Sequence, residues 1–227
     1  IRKPKFMLSP IEIQYGSKFK NLVKLFMKKK LYHFHLDVGD GELINRALDV
    51  SNKLKYIKNC SEKNLIHLHL MVADLDNQEK ARKYIDYYAN LGADYIGLLS
   101  RSFKNYSNLE EAILKVISLK KKPGIFIEVN EEFNNEITNL ILKHKIDWIV
   151  FMGVPLGYGG QLFNYSILSN IVKAQNFFKK RNLSCDFEID GGLTLEVIKT
   201  LKNYNIKYYS GWSIISGENI QQISKKL

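Results

Sequence analysis

The stretch FHLDVGDGELIN, residues 34–45, places imidazole and carboxylate side chains inside an apolar, strand-like run. His35 and Asp37 are two residues apart, so in a strand both side chains lie on the same face. Such groups are unfavourable to bury unless they have a partner. The same insertion recurs in LIHLHLMV (65–72) and in DFEIDGG (186–192), where a carboxylate ends the apolar run. Three such insertions in one chain indicate that these polar groups share one partner.

On either side of these runs the chain alternates between strand-like and helix-like segments. The strand-like runs cover residues 5–9, 32–38, 65–72, 94–100, 124–129, 147–154, 185–190 and 206–212. The clearest helical patterns between them cover residues 19–30, 77–92, 108–122 and 195–204. Asn108 and Thr194 are predicted N-caps, and Gly92 is a predicted C-cap.

Eight strand–helix units are the number in a (β/α)₈ barrel. The pattern therefore predicts an α/β protein, a single TIM-barrel domain over residues 1–227, although such barrels typically need about 250 residues. An open doubly wound sheet is the structural alternative, but it rarely needs eight such even units.

Charge, hydropathy and cysteine content indicate which classes of binding partner to expect. The net charge of +11 comes from 34 basic and 23 acidic residues. Because the lysines cluster at helix ends without aromatic interleaving, we interpret them as a solvated surface and expect no nucleic-acid partner. No apolar run is long enough to span a bilayer, so no membrane partner is expected. Two distant cysteines, Cys60 and Cys185, favour a reducing cytoplasm over a disulfide framework. Because the first residue is Ile1 rather than Met, the true start of the protein is left open.

The polar insertions fall near predicted strand ends, which meet at one mouth of a parallel barrel. The four groups concerned are His35, Asp37, His69 and Asp190. Two imidazoles and two carboxylates make a divalent metal site suited to Zn²⁺, Fe²⁺, Mn²⁺ or Co²⁺. His33 and His67 share the alternation, and we assign them to the core one layer deeper, because a strand histidine is more commonly a hydrogen-bonded core residue.

Glycine-rich turns follow the last three predicted strands, in PLGYGGQLF (155–163), DGG (190–192) and SGWSIISGEN (210–219). Glycine lets backbone N–H groups approach an anion closely, and phosphate in barrels commonly sits at these last loops and a short helix start. The predicted substrate- and phosphate-binding positions are Gly157, Gly159, Gly160, Gln161, Gly191, Gly192, Gly211 and Trp212.

The motifs HLDVGDG, HLMV, GYGGQLF, EIDGG and SGWSI resemble, in order and spacing, the signatures of ribulose-phosphate 3-epimerases. The resemblance runs from about residue 8 to the last strand. It implies a barrel of the ribulose-phosphate binding type and a small phosphorylated sugar as substrate. It further implies a homo-oligomer, dimer or hexamer, and one divalent metal ion held by the quartet named above. It also implies that Asp37 and Asp190 are the acid–base pair and that Met71 and Met152 line the enediolate.

The chemistry so implied is inversion at C3 of a ketose phosphate, of the D-ribulose 5-phosphate and D-xylulose 5-phosphate type. A proton leaves the carbon on one face and another returns on the opposite face, so two carboxylates exchange the roles of base and acid. A metal on the C2 and C3 oxygens stabilises the enediolate as a Lewis acid.

The departures from the family pattern cluster around the substrate rather than the metal. Ile11 follows Pro10 where the family has a serine that touches substrate, Gly39 replaces a lining methionine, and Pro155 and Trp212 change the phosphate turns. They leave open a 3-epimerase of another phosphorylated sugar, for example a hexulose phosphate such as allulose 6-phosphate. A non-catalytic barrel that binds sugar phosphates or polyanions is a further alternative.

Overall fold

The computed structural model describes residues 5–212. Most strands in this part of the chain pair in parallel. The strands are β1 (Lys5–Phe6), β2 (His33–Asp40), β3 (Ala47–Leu48), β4 (Leu65–Met71), β5 (Tyr95–Leu99), β6 (Lys122–Ile127), β7 (Trp148–Met152), β8 (Asp186–Asp190) and β9 (Tyr208–Ser210). Their order is β1-β9-β8-β7-β6-β5-β4-β2-β3. The sheet closes because Leu8, just after β1, exchanges backbone hydrogen bonds with His33 and His35 of β2. The predicted (β/α)₈ fold is confirmed.

Helices cover the outside of the barrel. They are α1 (Ser17–Lys28), α2 (Ser51–Cys60), α3 (Gln78–Ala81), α4 (Tyr87–Leu91), α5 (Tyr106–Ser118), α6 (Asn135–His144), α7 (Leu168–Lys180) and α8 (Leu195–Leu201). A π-helical turn joins α3 to α4.

Two of the three predicted caps are confirmed. The Thr194 side chain accepts the N–H of Val197, and Gly92 ends α4 in the left-handed conformation. The prediction for Asn108 was wrong, because Asn105 caps α5 by accepting the Asn108 N–H. The N-cap preference of asparagine suits either position, so only the backbone decides between them.

Two strand glycines make room for the largest rings inside the barrel. A Cβ on Gly97 would lie 1.9 Å from Phe126, and one on Gly124 would lie 2.0 Å from Trp148. Phe126 and Trp148 are fully buried in the inner cluster. Because barrel interiors are filled by side chains, a small residue on one strand permits a large one on its neighbour. Phe126 also stacks on His69, with ring centroids 3.8 Å apart, so this packing orients a predicted metal ligand.

The short strand β3 was not predicted, and it explains one departure from the family pattern. It pairs antiparallel with the end of β2, with Gly39 opposite Leu48. A Cβ on Gly39 would lie 2.5 Å from the Arg46 carbonyl oxygen. The segment that leads into β3 therefore lies too close to β2 for a larger side chain at residue 39. The same segment places Arg46 at the barrel mouth.

Within residues 5–212, no helix combines the length and apolar character that crossing a bilayer requires. The helix start predicted in residues 210–219 falls mostly beyond residue 212, outside the described part of the chain.

The glycine–ring contact can be tested by a double-mutant cycle. We expect Gly97→Ala to lower the free energy of unfolding by about 1–3 kcal/mol, because the added methyl group overpacks the barrel against Phe126. In a Phe126→Leu background the same substitution should cost much less, since the clashing ring atoms are gone. Denaturant unfolding followed by tryptophan fluorescence measures both costs. Equal costs in the two backgrounds would contradict the contact.

Candidate active site

Four ionisable side chains converge at the C-terminal ends of three barrel strands. They are His35 and Asp37 of β2, His69 of β4 and Asp190 of β8. One ligand atom from each lies within 4.8 Å of the others, and all four residues are buried. The structure thus brings together all of the residues that the sequence nominated as metal ligands.

The hydrogen bonds of His35 show why this cluster fits a cation. Its Nδ1 lies 2.8 Å from Glu188, a buried carboxylate that can only accept, so Nδ1 carries the proton. In the neutral ring, Nε2 is then a lone pair, and it faces Asp37 Oδ1 at 3.3 Å and Asp190 Oδ2 at 3.5 Å. In that neutral form acceptors point at acceptors in a buried space. Burial acts to lower the pKa of His35, but the Asp190 and Asp37 carboxylates prevail and raise it well above its usual range. A proton on Nε2 therefore relieves the conflict here, and a divalent cation between the same atoms would do so as well.

His69 has a related conflict. Its Nδ1 lies 3.2 Å from Asp37 and 3.7 Å from Asp190, while its buried Nε2 has no hydrogen-bond partner among residues 5–212. With the proton on Nδ1, Nε2 is an unsatisfied acceptor; with the proton on Nε2, Nδ1 faces carboxylates as a lone pair. A divalent cation on Nδ1 removes the second conflict, and imidazole and carboxylate are suitable ligands for it.

The pKa values of the two carboxyl groups of the quartet are shifted in opposite directions. Burial raises the pKa of Asp190 to about 7, and the Asp37 and Glu188 carboxylates act in the same direction. Burial also acts to raise the pKa of Asp37, but its contacts with His35 and His69 prevail and hold that pKa well below its usual range. These directions belong to the site without a cation; a bound divalent ion would favour the ionised form of both carboxyl groups.

Glu188, which the sequence analysis did not select, is the anchor beneath the quartet. Its fully buried carboxylate accepts from His35 Nδ1 at 2.8 Å, Trp148 Nε1 at 2.9 Å and Ser210 Oγ at 2.8 Å. Glu188 precedes Asp190 by two residues, so both point into the barrel. The spacing that singled out His35 and Asp37 would have found it as well.

His33 and His67 lie one layer deeper, as predicted. Nδ1 of His33 and Nε2 of His67 are 3.0 Å apart, and the His67 ring stacks on Tyr95 at 4.2 Å. Burial lowers the pKa of both imidazoles, with that of His33 near 3, so both are neutral at neutral pH. His67 is fully buried and His33 is partly buried.

A small cavity of about 30 Å³ lies above the quartet. Asp37, His69 and Asp190 of the quartet line it. So do seven of the ten residues predicted to bind substrate or line the enediolate, namely Met71, Met152, Gly157, Gly159, Gly191, Gly211 and Trp212. Ser9, which was not predicted, also lines it, and its hydroxyl lies 3.4 Å from Asp37.

The other three predicted positions lie in the turns beside the cavity. Gly160 and Gly192 have positive φ values of 79° and 68°. The Gln161 side-chain amide donates to the carbonyls of Pro155 and Tyr158, so it holds the turn together.

The anchoring role of Glu188 gives a prediction for metal affinity. Glu188→Gln should weaken binding of Co²⁺ or Zn²⁺ about 10–100-fold, because a carboxylate behind a ligating imidazole fixes its tautomer and orientation. Titration of the apoprotein, followed by Co²⁺ absorption or calorimetry, measures this without turnover. The matched control is Glu110→Gln, which removes a carboxylate 2.6 Å from His144, outside the quartet, and should leave affinity unchanged. Equal affinities for Glu188→Gln and the unmodified protein would contradict the role.

Comparison with known proteins agrees with this geometry. The ribulose-phosphate 3-epimerase family model matches residues 12–209. A ribulose-phosphate 3-epimerase of Helicobacter pylori is 27% identical over 161 residues, covering 70% of this chain and 67% of the relative. Another from Mycoplasma genitalium is 28% identical over 190 residues, covering 82% and 80%.

Among solved structures, KGPDC from Streptococcus mutans is similar, with a TM-score of 0.63 and 11% identity over 99% of this chain and 95% of that one. The HpcH/HpaI aldolase from Desulfitobacterium hafniense has a TM-score of 0.60 and 11% identity, covering 98% and 89%. At such low identity these structures support the fold alone. The family match extends through β2, β4 and β8, which carry the quartet. The chain therefore belongs to the ribulose-phosphate 3-epimerase family and is a carbohydrate isomerase of the epimerase class.

Proposed function

We propose that the protein inverts C3 of a ketose phosphate, interconverting D-ribulose 5-phosphate and D-xylulose 5-phosphate. The observation that carries this proposal is the convergence of two buried carboxylates, Asp37 and Asp190, from different strands onto one cluster at the mouth. Family membership makes the reaction an epimerisation, and a pair of proton carriers is what inversion at a carbon acid requires.

In this proposal one of the two aspartates removes the C3 proton and the other delivers a proton to the opposite face. Running the reaction backwards exchanges their roles. Ser9 and Ser210 lie beside the pair: the Ser9 hydroxyl is 3.4 Å from Asp37 Oδ2, and the Ser210 hydroxyl is 3.0 Å from Asp190 Oδ1. These contacts hold each carboxyl group in place while one of its oxygens faces the cluster.

The cofactor we propose is one divalent metal ion, Zn²⁺, Fe²⁺, Mn²⁺ or Co²⁺, held by the quartet. When bound, it supplies Lewis-acid stabilisation of the charge that develops on the substrate oxygens. Met71 and Met152 line the cavity beside Asp37 and Asp190 with apolar, polarisable side chains. The N–H groups of the glycine turns are proposed to hold the phosphate. The free thiols of Cys60 and Cys185 suit the cytoplasmic setting that we propose.

A second candidate is the same inversion on a longer phosphorylated ketose. It is motivated by the changed walls of the cavity, which include Ile11 and Trp212. The ratio of kcat/KM for ribulose 5-phosphate and for allulose 6-phosphate separates the two candidates. A higher value for the hexulose phosphate would favour the second.

The proposed chemistry predicts exchange of the C3 proton with solvent. With ribulose 5-phosphate and added divalent metal in D₂O, the protein should incorporate deuterium at C3, as measured by NMR. Asp37→Asn and Asp190→Asn should each lower the rate about 10²–10⁴-fold, because one face of the carbon loses its proton carrier.

The control for this experiment is Asp147→Asn, which removes an exposed carboxylate at the opposite end of the barrel, just before β7. Its exchange rate should equal that of the unmodified protein. Failure of the unmodified protein to exchange C3 of either ketose phosphate would refute the proposal.

A further inference from the structure

One carboxylate joins three segments around the cavity. Glu12, after β1, accepts from the Gly159 N–H at 2.9 Å, in the turn after β7. It also forms a two-pronged ion pair with Arg46 of the β2–β3 hairpin, at 2.8 and 3.1 Å. The Arg46 guanidinium donates in addition to the Ile11 carbonyl at 3.2 Å. The pairing of Glu12 with Arg46 and Gly159 lowers the pKa of Glu12, so it is a carboxylate at neutral pH.

These contacts lie at the wall of the cavity above the quartet. Ile11, Tyr158 and Gly159 line the same cavity as Asp37 and Asp190, and the Arg46 guanidinium lies 5.9 Å from the centre of the Tyr158 ring. The cavity volume of about 30 Å³ is enough for two or three water molecules, since one needs about 10–15 Å³. The cavity opens to solvent and is small beside a ketose phosphate, so separation of these segments would enlarge the space for it.

The donors that Glu12 occupies are those that a phosphate group uses. Arginine binds phosphate oxygens through parallel N–H groups, and backbone N–H groups in glycine turns bind them as well. Glu12 presents two negatively charged oxygens to both kinds of donor at once, as a phosphate would. The side chains of Arg46 and Glu12 are 24% and 31% exposed, so an anion from solvent can reach them.

We propose that Arg46 and the Gly159 amide bind the phosphate of the substrate, and that the Glu12 carboxylate is an internal anion which this phosphate displaces. The inference rests on the proposed function for the identity of the ligand, a phosphorylated ketose. Displacement of Glu12 frees the turn after β7 from the β2–β3 hairpin and lets the cavity enlarge. Arg46 is then a substrate-binding residue, and Glu12 is a competitor for the phosphate site.

A purely structural ion pair predicts a different pattern. If Glu12 and Arg46 only hold loops together, removing either one loosens the same segments, so both substitutions change anion binding in the same direction. If Arg46 binds the anion and Glu12 competes with it, the two substitutions act in opposite directions. The sign of the two effects therefore decides between these roles.

The experiment titrates the full-length protein with inorganic phosphate by isothermal calorimetry. Arg46→Gln should weaken phosphate binding about tenfold or more, because a charge-assisted, two-pronged contact is lost. Glu12→Gln should tighten it several-fold, because the competing charge is removed. The control is Arg101→Gln. Arg101 pairs with Glu128 at the same barrel end, at 3.2 Å. The phosphate affinity of this variant should stay within about twofold of that of the unmodified protein, as expected for a screened surface charge.

Weaker phosphate binding in both Glu12→Gln and Arg46→Gln would overturn the inference, and so would no change in Arg46→Gln. Because the titration needs no turnover, it is independent of the C3 exchange assay. Opposite shifts without exchange would support the anion site and refute the epimerase proposal. Exchange with shifts of the same sign would refute the anion site and support the epimerase. In an active protein, Arg46→Gln should raise KM for the ketose phosphate more than it lowers kcat.

Discussion

The structure depends on one electrostatic constraint, the convergence of four ligand atoms that would all accept a proton or a cation. His35, Asp37, His69 and Asp190 are buried, and their ligand atoms lie within 4.8 Å of one another. Without a positive charge this arrangement is unfavourable, because buried acceptors that face each other lose their hydration and gain no donor. The barrel maintains it by covalent connectivity and by packing, which prevent the strand ends from moving apart.

Glu188 decides which nitrogen of His35 faces the other ligand atoms. By accepting from His35 Nδ1, it leaves Nε2 as the atom that faces the mouth. Trp148 and Ser210 satisfy the rest of the Glu188 carboxylate, so the charge buried behind His35 has three donors rather than one. The ring of His69 is set by a different means, stacking on Phe126, for which Gly97 leaves the space. Hydrogen bonding orients one imidazole and ring packing orients the other.

Above this rigid layer the barrel mouth is built from turns rather than strands, and its contacts join one loop to another. The hairpin ending at β3 places Arg46 where it can meet Glu12 and the turn after β7. The departures from the family pattern, among them Gly39 and Trp212, lie in this upper layer. The quartet that we propose to hold the metal lies in the layer below, apart from these departures.

Residue spacing along the chain was enough to predict the strand–helix period, the barrel class and the four residues of the quartet. Alternation in a strand and convergence of parallel strand ends are local and topological rules, and both can be read from spacing. It did not reveal the β2–β3 hairpin, the Asn105 cap, the ion pair of Glu12 with Arg46, or the three donors that surround Glu188. Glu12 and Arg46 are 34 residues apart and Glu188 is 153 residues from His35. Only the closed barrel brings such residues within hydrogen-bond distance, because these partners are chosen by three-dimensional packing and no local sequence pattern encodes them.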